Sequence, residues 1–172
     1  MLTSQAMTSI QTAADRFAVG VVKAWTAAMA SLDKQFASFS DDELQQEIAP
    51  GKNRVFYLLG HLTAVHDRML PLLRLGARLY PELDQPFLTD ADRTSPDQIS
   101  APALRKAWAD VSAKLNGAIA ALPSDEWLTR HDAVSEEDFG KEPARNRLSV
   151  LQARMTHAGF HSGQLALVVK KK

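Results

Sequence analysis

His157 and His161 stand four residues apart in the stretch His157-Ala158-Gly159-Phe160-His161-Ser162-Gly163-Gln164-Leu165. On a helix that spacing sets two imidazoles about 40° apart around the axis and one turn apart along it, so both can reach one point beside the helix. A metal ion can be clamped this way, as the paired histidines of HExxH zinc helices do. Chance and packing produce the same spacing, so the face on which the pair lies matters. His161 shares its sector with Val150, Arg154, Gln164, Leu165 and Val168, beside an apolar stripe of Leu151, Met155 and Leu165. Two imidazoles at the edge of a core, without partners, would cost several kcal/mol in lost hydration. A bound cation turns that liability into a ligand set. A third histidine, His61, lies in Leu58-Leu59-Gly60-His61-Leu62, in a sector with Val65 and Leu72. Gly60 beside it would let another backbone approach closely. His66, five residues on, falls about 140° around the same helix and reads as a surface or rim residue.

The elements that must position these residues read as helices. The first spans about Thr8 to Phe39, with Phe17, Val21, Ala24, Trp25, Ala28, Leu32 and Phe36 recurring at the period of one helix face. Ser40-Asp41-Asp42-Glu43 opens a short turn that Pro50-Gly51 closes. The second begins near Asn53 as N-cap, carries Phe56, Leu59, Leu62, Val65, Met69 and Leu72, and ends by Gly76, with a bend expected at Pro71. A connector holding Pro81, Pro86 and Pro96 leads to Ser100, which caps the third. The third helix carries Leu104, Trp108, Val111, Leu115, Ile119 and Leu122 and stops before Pro123. An acidic irregular stretch, 124–146, precedes the last helix, Arg147 to about Val169. No repeat or alternating strand pattern appears. The expected fold is all-α: one domain over residues 1–172, a four-helix bundle with long crossover loops.

Composition narrows the chemistry. The chain has no cysteine, which excludes disulfides, thiolate metal sites and cysteine nucleophiles, so any transition metal must be held by nitrogen and oxygen. Twenty basic residues balance twenty acidic ones, leaving no excess charge for nucleic acid. The terminal Lys170-Lys171-Lys172 run reads as the solvated end of the last helix. Trp25, Trp108 and Trp127 are spread over separate segments and read as core or loop anchors rather than a stacking platform. Phe17 to Ala30 is interrupted by Lys23 and too short for a membrane span, and Met1 to Ile10 lacks the form of a secretory signal. A cytoplasmic protein is expected.

Leu59-Gly60-His61-Leu62, followed after a long gap by His157-x-x-Phe160-His161-x-Gly163-Gln164-Leu165, resembles the DinB-like family of four-helix-bundle metalloproteins. Leu122-Pro123-Ser124-Asp125-Glu126-Trp127 and Asn146-Arg147-Leu148-Ser149-Val150-Leu151 fit as well, so the resemblance runs from the first helix to Val169. It implies that His61, His157 and His161 bind a divalent metal, with no ligand missing. Three imidazoles leave a coordination position open, the arrangement of catalytic sites, and suit zinc or nickel. Gln164 and Arg154 are candidates to orient bound water or substrate. Gly159, between the paired histidines, loosens the helix by roughly 1 kcal/mol relative to alanine.

Two readings of function stand. One is an enzyme whose metal activates water or a low-molecular-weight thiol, since the wider superfamily includes thiol S-transferases using bacillithiol, mycothiol or glutathione. The other is a non-catalytic, stress-associated metal-binding bundle. No residue in the matched motifs offers a carboxylate general base. Glu136, Glu137 and Asp138 would supply one only if their loop folded over the site, and with His131 they read as solvated. A homodimer is expected, with the open edge of the first and third helices as its candidate seam, and a small molecule rather than nucleic acid or membrane as ligand.

Overall fold

The computed structural model describes the backbone of residues 4–168 and the side chains of residues 13–168. The terminal lysine run and Val169 lie outside the described residues.

Helix α1, Ser4–Ala37, is held by a buried stripe of Ala18, Val21, Trp25, Met29, Leu32 and Phe36. These recur at steps of three and four, the spacing of one helix face. Phe17 and Ala24 fall off that stripe and are exposed. After α1, Glu43 N–H donates to Ser40 Oγ and Ser40 N–H to Glu43 Oε2, a reciprocal capping box that starts the short turn Glu43–Gln45.

Helix α2, Val55–Leu72, is buried on nearly every side. Its N-cap position is Arg54 rather than Asn53, and no side chain caps it. Pro71 produces no mid-helix bend, because the helix ends one residue later. There Arg74 takes the left-handed conformation, φ 54°, while Leu75 N–H donates to Leu70 O and Arg74 N–H to Pro71 O, a Schellman close two residues before Gly76. Helix α3, Ala101–Ala121, is capped by Ser100. A short helix α4, Glu136–Lys141, interrupts the acidic stretch. Helix α5, Arg147–Ala166, is capped by Asn146 Oδ1, which accepts from Ser149 N–H at 2.9 Å.

The long helices pack chiefly as α1 on α5 and α2 on α3, with α1–α3 and α2–α5 closing the ring. No strand forms among the described residues, only two isolated bridges. None of the described helices is long and apolar enough to cross a membrane. The three tryptophans are core: Trp25 Nε1 donates to Asn116 and Trp108 Nε1 to Asp33, each joining α1 to α3.

Two buried charge clusters hold the 73–100 connector against α2. Asp67 accepts from Leu79 N–H, Tyr80 N–H and Arg78 Nε, all at 2.7–3.0 Å. Arg54 binds Asp92 and Asp97 through its guanidinium and Gln45 beside them. Desolvated charges need that many partners to be tolerated. Between the clusters the connector runs through a π-turn, Gln85–Thr89, that lays Phe87 on α2.

Candidate metal centre

Within α5 the flank that turns toward α2 carries Val150, Arg154, His157, His161 and Gln164. The opposite flank is fixed to α1 by a paired contact, Gln35 Nε2 donating to Ser162 O and Ser162 Oγ to Gln35 Oε1. That contact sets the rotation of α5 one residue from His161. On α2, His61 faces the same seam.

The three imidazoles meet there. His61 Nε2 lies 3.2 Å from His157 Nε2, and His161 Nε2 lies 3.0 Å from the same atom. One nitrogen from each ring falls within 4.8 Å of the other two. Nitrogen ligands at about 2.0–2.1 Å from a metal sit roughly 2.9–3.4 Å apart in tetrahedral or octahedral geometry, so these spacings match the edges of a coordination polyhedron. The group could hold a metal ion.

The outward nitrogens of two rings are fixed. His61 Nδ1 donates to Phe87 O at 3.0 Å, and His161 Nδ1 to Gln164 Oε1 at 2.8 Å. Each bond commits the proton to Nδ1 and leaves Nε2 as a bare lone pair aimed inward. His157 Nε2 can donate to only one of those two lone pairs at a time, so without a cation the cluster is under-satisfied. His157 Nδ1 itself is buried without a partner.

Gly60 explains how Phe87 reaches this position. A Cβ at residue 60 would lie 2.3 Å from two atoms of the Phe87 ring, so only glycine leaves space for it. What approaches is therefore a side chain, and with it the carbonyl that orients His61. No spacing in the sequence marks that carbonyl as part of the site; the glycine beside His61 is its one trace. Tyr57 stacks on His61, with ring centroids 6.3 Å apart, and its hydroxyl donates to Asp90 O in the same connector. Gly159 has open space where a side chain would be, and α5 runs through it unbroken.

Burial lowers the basicity of His157, whose pKa falls to about 4, with the His161 and His61 rings and then Arg154 adding to the effect. Burial also lowers the pKa of His161, opposed in part by its bond to Gln164. Both rings therefore present lone pairs rather than protons at neutral pH.

His66 is not at the surface. It is 1% exposed, its ring set 5.3 Å from Trp25 and 5.4 Å from Trp108, and its Nε2 has no partner. Its angle from His61 is as the helix dictates, but α2 is wrapped on all sides, so pointing away from His61 means pointing into the core. Burial pushes its pKa down to about 3.

The acidic stretch does not cover the triad. Asp132 N–H donates to Leu72 O and Arg147 N–H to Thr129 O, which places that loop at the far end of the α2–α5 seam. Glu136, Glu137 and Asp138 are exposed there, the first paired with Arg130 and the second with Lys141. His131 is half-buried in the same loop, away from the site. A groove of about 490 Å³ also lies elsewhere: Phe36, Arg105, Trp108 and Asn116 line it between α1 and α3. The triad opens to solvent through His61 and His157, each only partly buried, beside Phe160, which is 62% exposed and edge-on to His161.

No curated protein matches this chain. A sequence model described as the DinB superfamily matches residues 24–165, a span that starts inside α1, takes in all three histidines and ends at Leu165. With an all-α bundle and a convergent histidine triad in hand, and most of its length matched, the chain belongs to the DinB superfamily.

Proposed function

We propose that His61, His157 and His161 bind a divalent transition metal, zinc or nickel, and that the protein is a metal-dependent enzyme acting on a thiol. The convergence of three Nε2 atoms at 3.0 and 3.2 Å, two of them with their outward nitrogens already committed, carries this reading. A divalent cation at that point acts as a Lewis acid and lowers the pKa of whatever thiol or water binds beside it. Phe87 O and Gln164 hold two of the rings in the ligating tautomer. Thiol chemistry suits the site better than hydrolysis, since no carboxylate joins the group among the described residues to serve as a base toward water. A thiol needs only to lose its proton, so a thiol S-transferase is favoured over a hydrolase.

The same lack of a carboxylate supports the second reading, a metal-binding bundle without turnover. Elemental analysis of untagged protein beside His157→Ala tests the site: near-stoichiometric metal in the wild type and its loss in the variant are expected. Incubation with low-molecular-weight thiols and a model electrophile, with and without chelator, tests the reaction. Turnover indifferent to chelator removes the metal from the mechanism, and none with any thiol leaves the binding role.

The open edge of α1 and α3 is the proposed seam for a homodimer, supported by a second groove along it that Val19, Val22 and Leu122 help to line, and by Phe17 and Val19 standing 57% and 62% exposed on α1. Light scattering on the purified protein tests it, and a monomer at all concentrations rejects it.

A further inference from the structure

Arg54, Arg78, Arg105, Arg130 and Arg147 are the other buried or half-buried arginines among the described residues, and each meets a carboxylate. Arg154 is half-buried too, yet no described residue gives it a hydrogen bond or a counter-ion. None of its nitrogens is among the buried unpartnered atoms, so the guanidinium is reached by solvent and is free to take an acceptor from a bound molecule.

Its position says where that acceptor would be. Arg154, His157 and His161 follow one another at steps of three and four, so they form one stripe on α5. Arg154 lies one turn, about 4.5 Å, before His157, and a guanidinium on its long stem reaches the space beside the triad. Its charge lies close enough to His157 and His66 to oppose their protonation, in keeping with its place on the flank of α5 that turns toward α2. Arg68, the cation on the facing part of α2, is already bound to Asp84.

The charge balance points the same way. With a divalent metal on uncharged imidazoles and Arg154 beside it, the site carries excess positive charge. No carboxylate joins the three histidines among the described residues, and Asp67, Asp84 and Asp92 on α2 and the connector are each already paired with an arginine. A ligand that brings negative charge would offset that excess.

The geometry points to Arg154 as a specificity residue that binds a carboxylate or similar anionic group on the molecule whose other end occupies the metal's open position. This rests on the metal reading above and names the substrate class for it: a small anionic molecule, not a neutral one. A planar guanidinium takes a carboxylate in two parallel hydrogen bonds, which lysine cannot reproduce.

Cobalt(II) serves as probe, because its visible spectrum reports metal binding and ligand binding without any turnover. Cobalt affinity is measured first, then titrations with 3-mercaptopropionate and with neutral 2-mercaptoethanol, in wild type, Arg154→Met and Arg154→Lys. Wild type is expected to prefer the carboxylate thiol, and Arg154→Met to lose about ten- to hundredfold of that preference, with cobalt affinity, helical circular dichroism and 2-mercaptoethanol binding unchanged. Arg154→Lys should keep part of it. If wild-type cobalt binding fails, the metal reading falls and this assignment with it. If cobalt binds but Arg154→Met keeps the preference, or weakens both thiols equally, Arg154 alone is refuted.

Discussion

Replacing Gly60 with alanine puts a methyl group where the Phe87 ring already lies. The nearest three ring atoms would be 2.3, 2.3 and 2.6 Å from the new carbon, whereas carbons rest at about 3.5–4.0 Å. The ring must retreat by at least about 1 Å, and it is hemmed in by Phe56 and Tyr57 at centroid distances of 5.9 and 5.8 Å. Overpacking of this kind costs about 1–3 kcal/mol, and alanine's better helix propensity returns about 1 kcal/mol. The net loss is up to about 2 kcal/mol, or a few degrees in Tm for a chain of this length. The same retreat draws Phe87 O away from His61 Nδ1, now 3.0 Å apart, beyond useful hydrogen-bond range. Loss of such an orienting partner lowers metal affinity about 10- to 100-fold. Urea denaturation of the metal-free protein measures the first effect, and competition with a chromophoric zinc chelator the second. Gly159→Ala is the control: its new carbon meets nothing within 4 Å, so it should gain up to about 1 kcal/mol at unchanged affinity. A Gly60→Ala protein that gains the full helix-propensity increment of about 1 kcal/mol, as Gly159→Ala should, would refute the steric argument. One that is destabilised yet binds zinc normally would show that the Phe87 carbonyl does not orient His61.

Acid should weaken the metal-free protein well before its carboxylates titrate. His66 and His157 have folded pKa values of about 3 and about 4, below the ordinary value of 6.5, so the unfolded chain takes up protons first. Their contribution is fully present above about pH 6.5 and drains away as pH falls toward 3. His66→Leu, which removes a buried unpartnered nitrogen, should flatten this limb at little or no cost at pH 7; a limb unchanged in that variant would count against His66. Asp67→Asn should destabilise by about 3 kcal/mol by breaking a buried charged anchor of the connector, and should lower zinc affinity through Phe87, read by the same two assays; wild-type values in both would show the connector to be held elsewhere. Glu137→Gln should change neither metal affinity nor any thiol reaction. A tenfold loss of turnover in that variant would show that the acidic loop reaches the site after all.

What a single helix decides was legible in the sequence. The spacing of Arg154, His157, His161 and Gln164 places them on one flank of α5 whatever surrounds it, because that relation is fixed by the 3.6-residue turn, and Ser100 caps as its side chain dictates, although Asn53, expected to cap α2 by the same rule, does not. The stripe on α1 was legible for the same reason, although Phe17 and Ala24 could not be told from its buried members. Relations between elements were decided only by the tertiary structure. The spacing of residues on α2 fixes the angle between His61 and His66, but whether the second direction is wet or dry depends on Trp25 and Trp108, which arrive from other helices. Phe87 contributes a carbonyl, a group every residue carries, so nothing in its identity announces that it orients His61. The acidic loop could have closed over the histidines or lain at the far end, and two backbone hydrogen bonds, to Leu72 and from Arg147, settle which. Periodicity gives a direction around an axis; only packing says what stands there.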